Sequence, residues 1–167
     1  MELYISLAAM LISLVSVIVS VAIYMLGISR EKKQATLDAF NILQEQVFDK
    51  LNQYTYAQIK DICNTWKQIE NKKAFAEEEK AHMEYCISEY RLLSGYLARI
   101  EHFALGVNTG IYNAKIAERA GTTYLRVLYR SKLKPLIDIK NNDGEDGVEY
   151  YAEFRHLVES IEKYETS

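Results

Sequence analysis

The stretch ISLAAMLISLVSVIVSVAIYMLG, Ile5 to Gly27, decides how the chain is organised. No charged residue occurs from Leu3 to Leu26, and about 24 residues at roughly 1.5 Å each make a helix of about 36 Å, longer than the ~30 Å hydrocarbon core of a bilayer. Tyr4 and Tyr24 stand near its two ends, where the aromatic belts of membrane interfaces lie. A cleaved leader needs a basic start and a shorter apolar centre. This chain opens Met1-Glu2, and the run continues past Ser20-Val21-Ala22, the one tolerable small-x-small site. The stretch therefore predicts a transmembrane anchor over residues 1–29. Arg30, Lys32 and Lys33 follow it while nothing basic precedes it, so the positive-inside rule predicts an amino terminus outside and residues 30–167 in the cytoplasm.

Within the run, Ser6, Ala9, Ser13, Ser16 and Ser20 recur at alternating steps of three and four, a register that reaches Gly27 after Ile23. Helices associate in a bilayer through close approach at small residues and hydrogen bonds between them, so this beat predicts a self-association seam. The competing explanation is that serine is tolerated because it bonds back to its own helix.

The remainder is ordered and globular in composition, with 26% charged residues and a net charge of −3, which argues against a disordered tail and against a dedicated nucleic-acid binder. One proline and seven glycines leave room for long helices. Leu37, Phe40, Leu43, Val47, Leu51 and Tyr54 share one helical face, which slips near Thr55 and resumes as Ile59, Ile62, Trp66 and Ile69. Glu70 to Glu78 reads as a turn. Met83, Cys86, Tyr90, Leu93, Leu97, Ile100 and Ala104 then follow at steps of three and four throughout, the seam of a helical hairpin or coiled coil. In GVNTGIYN, Gly106 to Asn113, glycine and asparagine interrupt the pattern, and Asn113 can cap a third helix with Ile116, Ala120, Tyr124, Val127 and Leu128 on its face, ending at Lys134 before Pro135. An acidic loop, Asn141 to Gly147, leads to a last helix with Tyr150, Phe154, Leu157 and Ile161. No segment alternates as a strand. The fold class is all-α: one amino-terminal transmembrane helix, then a cytoplasmic bundle of about four helices with a long helical hairpin.

Few residues suggest chemistry. Cys63 and Cys86 lack C-x-x-C spacing and read as reduced, partly buried thiols. Glu79/His82 and Glu153/His156 have the Glu-x-x-His spacing of di-iron bundles, but no pair of inward glutamates completes such a site, and exposed surface pairs explain them better. The loop at Asp143-Gly144 fails as a calcium loop, because its first and twelfth positions would be Ile139 and Tyr150. Lys115, Arg119, Arg126 and Arg130 form a basic stripe on the third helix that either meets acidic residues of the same bundle, such as Glu77 to Glu79 or Glu149 and Glu153, or contacts a partner, anionic headgroups or a phosphate. Beside the hairpin seam, Glu101 needs a cation that Arg99 or Arg119 can supply, and His102 points away from the seam.

Tyr96, Leu97, Arg99, Glu101-His102-Phe103, Gly106-Val107-Asn108, Gly110-Ile111-Tyr112, Arg119 and Tyr124 together resemble a bacterial family known as a domain of unknown function, found in short proteins with one membrane helix and a helical cytoplasmic part. The likeness covers residues 1 to 137 and leaves the acidic loop and last helix outside. It implies a bacterial origin and the same layout, and it supplies no catalytic residue. Some members look like components of mobile or defence-related gene sets.

The expectation is thus a non-enzymatic, single-pass inner-membrane protein that self-associates and binds a protein partner, without cofactor, resident metal or nucleic acid. The bilayer and copies of itself are its other expected partners. Arg99, Glu101, His102, Lys115, Arg119, Arg126 and Arg130 are the candidate contacts. The alternatives are an oligomeric membrane effector of anti-phage defence, triggered by a ligand or phage protein, and a metal-dependent enzyme.

Overall fold

The computed structural model describes residues 2–71, 76–142 and 149–165. Helix α1 (Glu2–Leu43) is continuous from the apolar run into the charged chain. It is long and apolar enough to cross a membrane, with a mean hydropathy of 2.3 over its most apolar window, none of which is buried in the fold. The same helix then turns an amphipathic face inward: Thr36, Leu43 and, within a wide π-type turn (Gln44–Phe48), Val47 and Phe48 are buried, as is Leu51 in the short α2 (Asp49–Leu51).

The chain breaks where the apolar face slips. Thr55 accepts from the Gln58 amide while the Gln58 side chain accepts from the Thr55 amide, a capping box that starts α3 (Tyr56–Glu70). Ile59, Ile62, Cys63 and Thr65 are its buried residues. Of the expected turn from Glu70 to Glu78, residues 72–75 lie outside the described residues. A 3-10 turn (Glu77–Glu79) leads into α4 (Lys80–Asn108), the central helix. Cys86, Tyr90, Leu93, Leu97, Ile100 and Ala104 are all buried, as the seam predicts.

The long hairpin is present, and its two arms are α4 and the charged half of α1. Gln46 meets Arg99 while Lys32 meets Gly110, so the two helices run antiparallel. Helix α3 packs on α4 in the opposite sense, parallel to it, with Asp61 against His82 and Trp66 stacked on Tyr90 at 4.2 Å.

Some boundaries and faces differ from the sequence reading: Tyr150 lies outside the last helix and is exposed, as is Leu37 of α1. Helix α4 continues through Gly106 to Asn108, because its glycine is needed for contact rather than for a turn. Helix α5 (Ala114–Val127) buries Ala117, Gly121 and Leu125, one position on from the expected stripe, and leaves Ala120 and Val127 exposed. Gly121 carries no hydrophobic signal, yet a Cβ there would lie 3.5 Å from the Phe40 ring of α1, so the smallest residue marks the packed face. The third helix also does not stop at Lys134. A second π-type turn (Leu128–Lys132) and Leu133 divide it from α6 (Lys134–Asn142), where Pro135 sits in the first turn and its missing N–H breaks no bond. Residues 143–147 of the acidic loop lie outside the described residues. Helix α7 (Ala152–Glu165) lays Phe154, Leu157, Val158 and Ile161 against α4 and α5.

Candidate functional site

The corner string of α4 and the following turn is built against α1. Gly110 adopts a left-handed φ of 76°, and its carbonyl accepts from Lys32 Nζ at 2.9 Å. Thr36, fully buried, donates to the Lys32 carbonyl at 2.6 Å and accepts from the Asn113 amide at 2.8 Å. The Asn113 side chain accepts from the Ile116 amide at 3.1 Å and so caps α5, as expected. Tyr112 folds back over Gly106, where a Cβ would lie 2.6 Å from its ring, and stacks on Phe103 at 5.5 Å. From there Phe103, Phe40, Phe48 and Tyr124 continue as a ladder of ring contacts across α4, α1 and α5.

The corner sends its polar side chains two ways. Arg99 and His102 come together in an open groove of about 280 Å³ between α1 and α4, with Ile42, Leu43, Gln46 and Phe103. Arg99 Nη1 donates to Gln46 Oε1 at 2.9 Å, and His102 is exposed. Glu101 faces the other way. Its carboxylate accepts from the backbone amides of Glu153 at 3.0 Å and Phe154 at 2.8 Å, so its partner is the amino terminus of α7 rather than the expected arginine. The physical reason is that the first amides of a helix have no partner within it and carry partial positive charge. Asn108 completes the clasp by donating to the Glu153 carbonyl at 3.0 Å and carboxylate at 2.7 Å. Burial, and then the charge of Glu101, raise the Tyr151 phenol above its ordinary pKa.

The basic stripe begins on α5 and runs into the second π-type turn. Arg130 pairs with Glu162 of α7 at 3.0 Å, an acid of the same bundle but not one of those expected. That contact holds the Glu162 carboxyl below its ordinary pKa, with Arg126 acting in the same direction. Lys115 and Arg119 are exposed. In the apolar run, Ser16 and Ser20 donate to the carbonyls of Ile12 and Ser16 within α1 and Ser13 is exposed, while the side chains of Ser6 and Ala9 lie outside the described residues.

The two Glu-x-x-His pairs are not brought together. Glu79 accepts from the Ala76 amide, Glu153 is held by Asn108, and His156 is exposed. His82 instead joins two residues that the sequence reading left apart. Its Nε2 lies 3.4 Å from Asp61 Oδ2 and 3.5 Å from Cys86 Sγ, and the three atoms lie within 4.8 Å of one another. The legible signal was His82-x-x-x-Cys86, an i,i+4 pair on one face of α4; Asp61 comes from α3 and had none. Both cysteines are free and buried, as expected of reduced thiols.

Residues 10–161 match the model of a family described as "Domain of unknown function (DUF4760)". No curated protein and no solved structure matches the chain. The matched region includes the acidic loop and most of the last helix, which the resemblance had left outside. The clasp joins that helix to the corner string: Glu101 and Asn108 have their partners in α7.

Proposed function

The chain belongs to the DUF4760 family, and we propose that it is a membrane-anchored, non-enzymatic helical protein that self-associates and presents its bundle to a protein partner at the cytoplasmic face of a bacterial inner membrane. One observation carries this reading: the apolar half of α1 is covered by no part of the described chain, yet it is one helix with the segment that packs the bundle. In water such a surface has to be covered, and lipid or other copies of the chain are its natural cover. Arg30, Lys32 and Lys33 at the end of the apolar run support the orientation.

The test has two readouts. The protein should stay with membranes through alkaline carbonate extraction, and the bundle should be digested by protease from the cytoplasmic side only. Native mass spectrometry of the full chain in mild detergent should then give a discrete oligomer that falls apart when Ser13, Ser16 and Ser20 are changed to leucine. Release by carbonate sinks the anchor; a wild-type monomer sinks self-association.

The groove holding Arg99 and His102 favours a second reading, in which an anionic ligand or a phage protein seats there and triggers an oligomeric membrane effector of defence. Expression with a trigger would then depolarise cells, and Arg99→Ala would abolish the effect without releasing the protein from the membrane.

A further inference from the structure

Where α3 meets α4, three different ligand types converge on one point. Asp61 and His82 are well exposed, with 61% and 55% of their side chains open, whereas Cys86 is fully buried and approaches from beneath. A single nitrogen, His82 Nε2, confronts both the carboxylate oxygen and the sulfur. A neutral imidazole nitrogen either donates or accepts. If Nε2 carries the proton it serves Asp61, and Cys86 is left with the Thr65 side chain as its polar partner; if it does not, its lone pair faces a carboxylate. A cation at the centre resolves the conflict, since all three atoms are then donors to it.

Two of the three edges match one ion class, and the third, between Asp61 and Cys86, is within 4.8 Å. With bonds of about 2.3 Å to sulfur and about 2.0–2.2 Å to nitrogen and oxygen, the edges of a tetrahedral zinc site are roughly 3.3 Å between nitrogen and oxygen and roughly 3.5 Å between nitrogen and sulfur. The two distances here are 3.4 Å and 3.5 Å. Thiolate plus imidazole selects zinc over the hard cations magnesium and calcium.

We propose that Asp61, His82 and Cys86 bind Zn²⁺ through three protein ligands, with the fourth position open to solvent. The ion ties α3 to the start of α4. Cys86 gives up its proton on binding, as zinc-bound thiols do.

Cobalt(II) titration of the full chain in mild detergent, followed by zinc displacement, tests the site. The expected result is about one Co²⁺ per chain, with a sulfur-to-cobalt charge-transfer band and tetrahedral visible bands, all removed by Zn²⁺. Cys86→Ser should abolish the band, and Cys63→Ser should leave it intact. His82→Ala and Asp61→Asn change exposed side chains and should keep the helical content of the protein while weakening Zn²⁺ by more than the roughly 10-fold cost of even an outer-shell change. A wild-type chain without the band, a band that survives Cys86→Ser, or wild-type affinity in both His82→Ala and Asp61→Asn would overturn the proposal.

Discussion

Replacing Glu101 with alanine should loosen the last helix from the bundle. The carboxylate accepts two backbone amides of α7 at 3.0 and 2.8 Å. Hydrogen bonds to a charged group contribute about 1.5–3 kcal/mol each, and a lost helix cap costs about 0.5–2 kcal/mol. The two bonds share one carboxylate and one helix end, so their losses overlap, and Glu101→Ala should cost about 2–4 kcal/mol in total. For a chain of this size about 1 kcal/mol shifts the midpoint by roughly 2–4 °C, which makes the expected fall about 4–16 °C. Circular dichroism of the full chain in detergent reads the midpoint. Hydrogen exchange locates the damage, which should appear first at the Glu153 and Phe154 amides. A double-mutant cycle separates the clasp from an ion pair: Glu101→Ala and Asn108→Ala share α7 and should couple, whereas Glu101→Ala and Arg99→Ala should add within about 0.5 kcal/mol. Strong coupling to Arg99, or a Glu101→Ala midpoint within a degree of wild type, would refute the clasp.

Two glycines of α4 should respond with opposite signs in the same melts. Gly106→Ala meets the Tyr112 ring and should destabilise by about 1–3 kcal/mol, while Gly95→Ala meets nothing within 4 Å and should stabilise by about 0.5–1 kcal/mol. Thr36→Val keeps the shape but removes the acceptor of the Asn113 amide, so it should cost about 1–3 kcal/mol by urea unfolding. Alkaline pH should also destabilise the fold through Cys63, whose thiol burial pushes up to about 12. Unfolded thiols ionise near pH 8.5, so the folded state binds more protons across that window and stability falls as pH rises through it, by about 2 kcal/mol at pH 10 for this one group. The drop in urea midpoint between pH 7 and pH 10 should shrink in Cys63→Ala; an unchanged drop would remove the thiol as its cause.

What the sequence made legible was whatever repeats locally. The α4 seam, the break at Thr55 and the Asn113 cap follow from spacing and from residues that act on their own neighbours, and the structure bears all three out. The packed face of α5 was displaced because Gly121 contributes by what it lacks, which a hydrophobic pattern does not register. The partner of Glu101 was illegible for a different reason. A carboxylate in sequence suggests a cation, but its partners are backbone amides about fifty positions away, and every residue but proline has one. The cluster at His82 needed a contact between α3 and α4 that no local rule supplies.

Between Gly27 and Leu43, α1 contains neither proline nor another glycine, and it is helical throughout. It is therefore a drive shaft about 24 Å long, of which about 8 Å, Gly27 to Lys32, lies between its apolar half and the bundle. Twist applied at one end arrives at the other, where the Lys32–Gly110 contact serves as a strut that stops the bundle from slipping around it. Each residue inserted into the shaft ahead of that strut re-indexes the bundle by about 100° and moves it about 1.5 Å along the axis. In the proposed self-association, the length of this segment thus sets the rotational phase in which neighbouring copies would offer their bundles to one another.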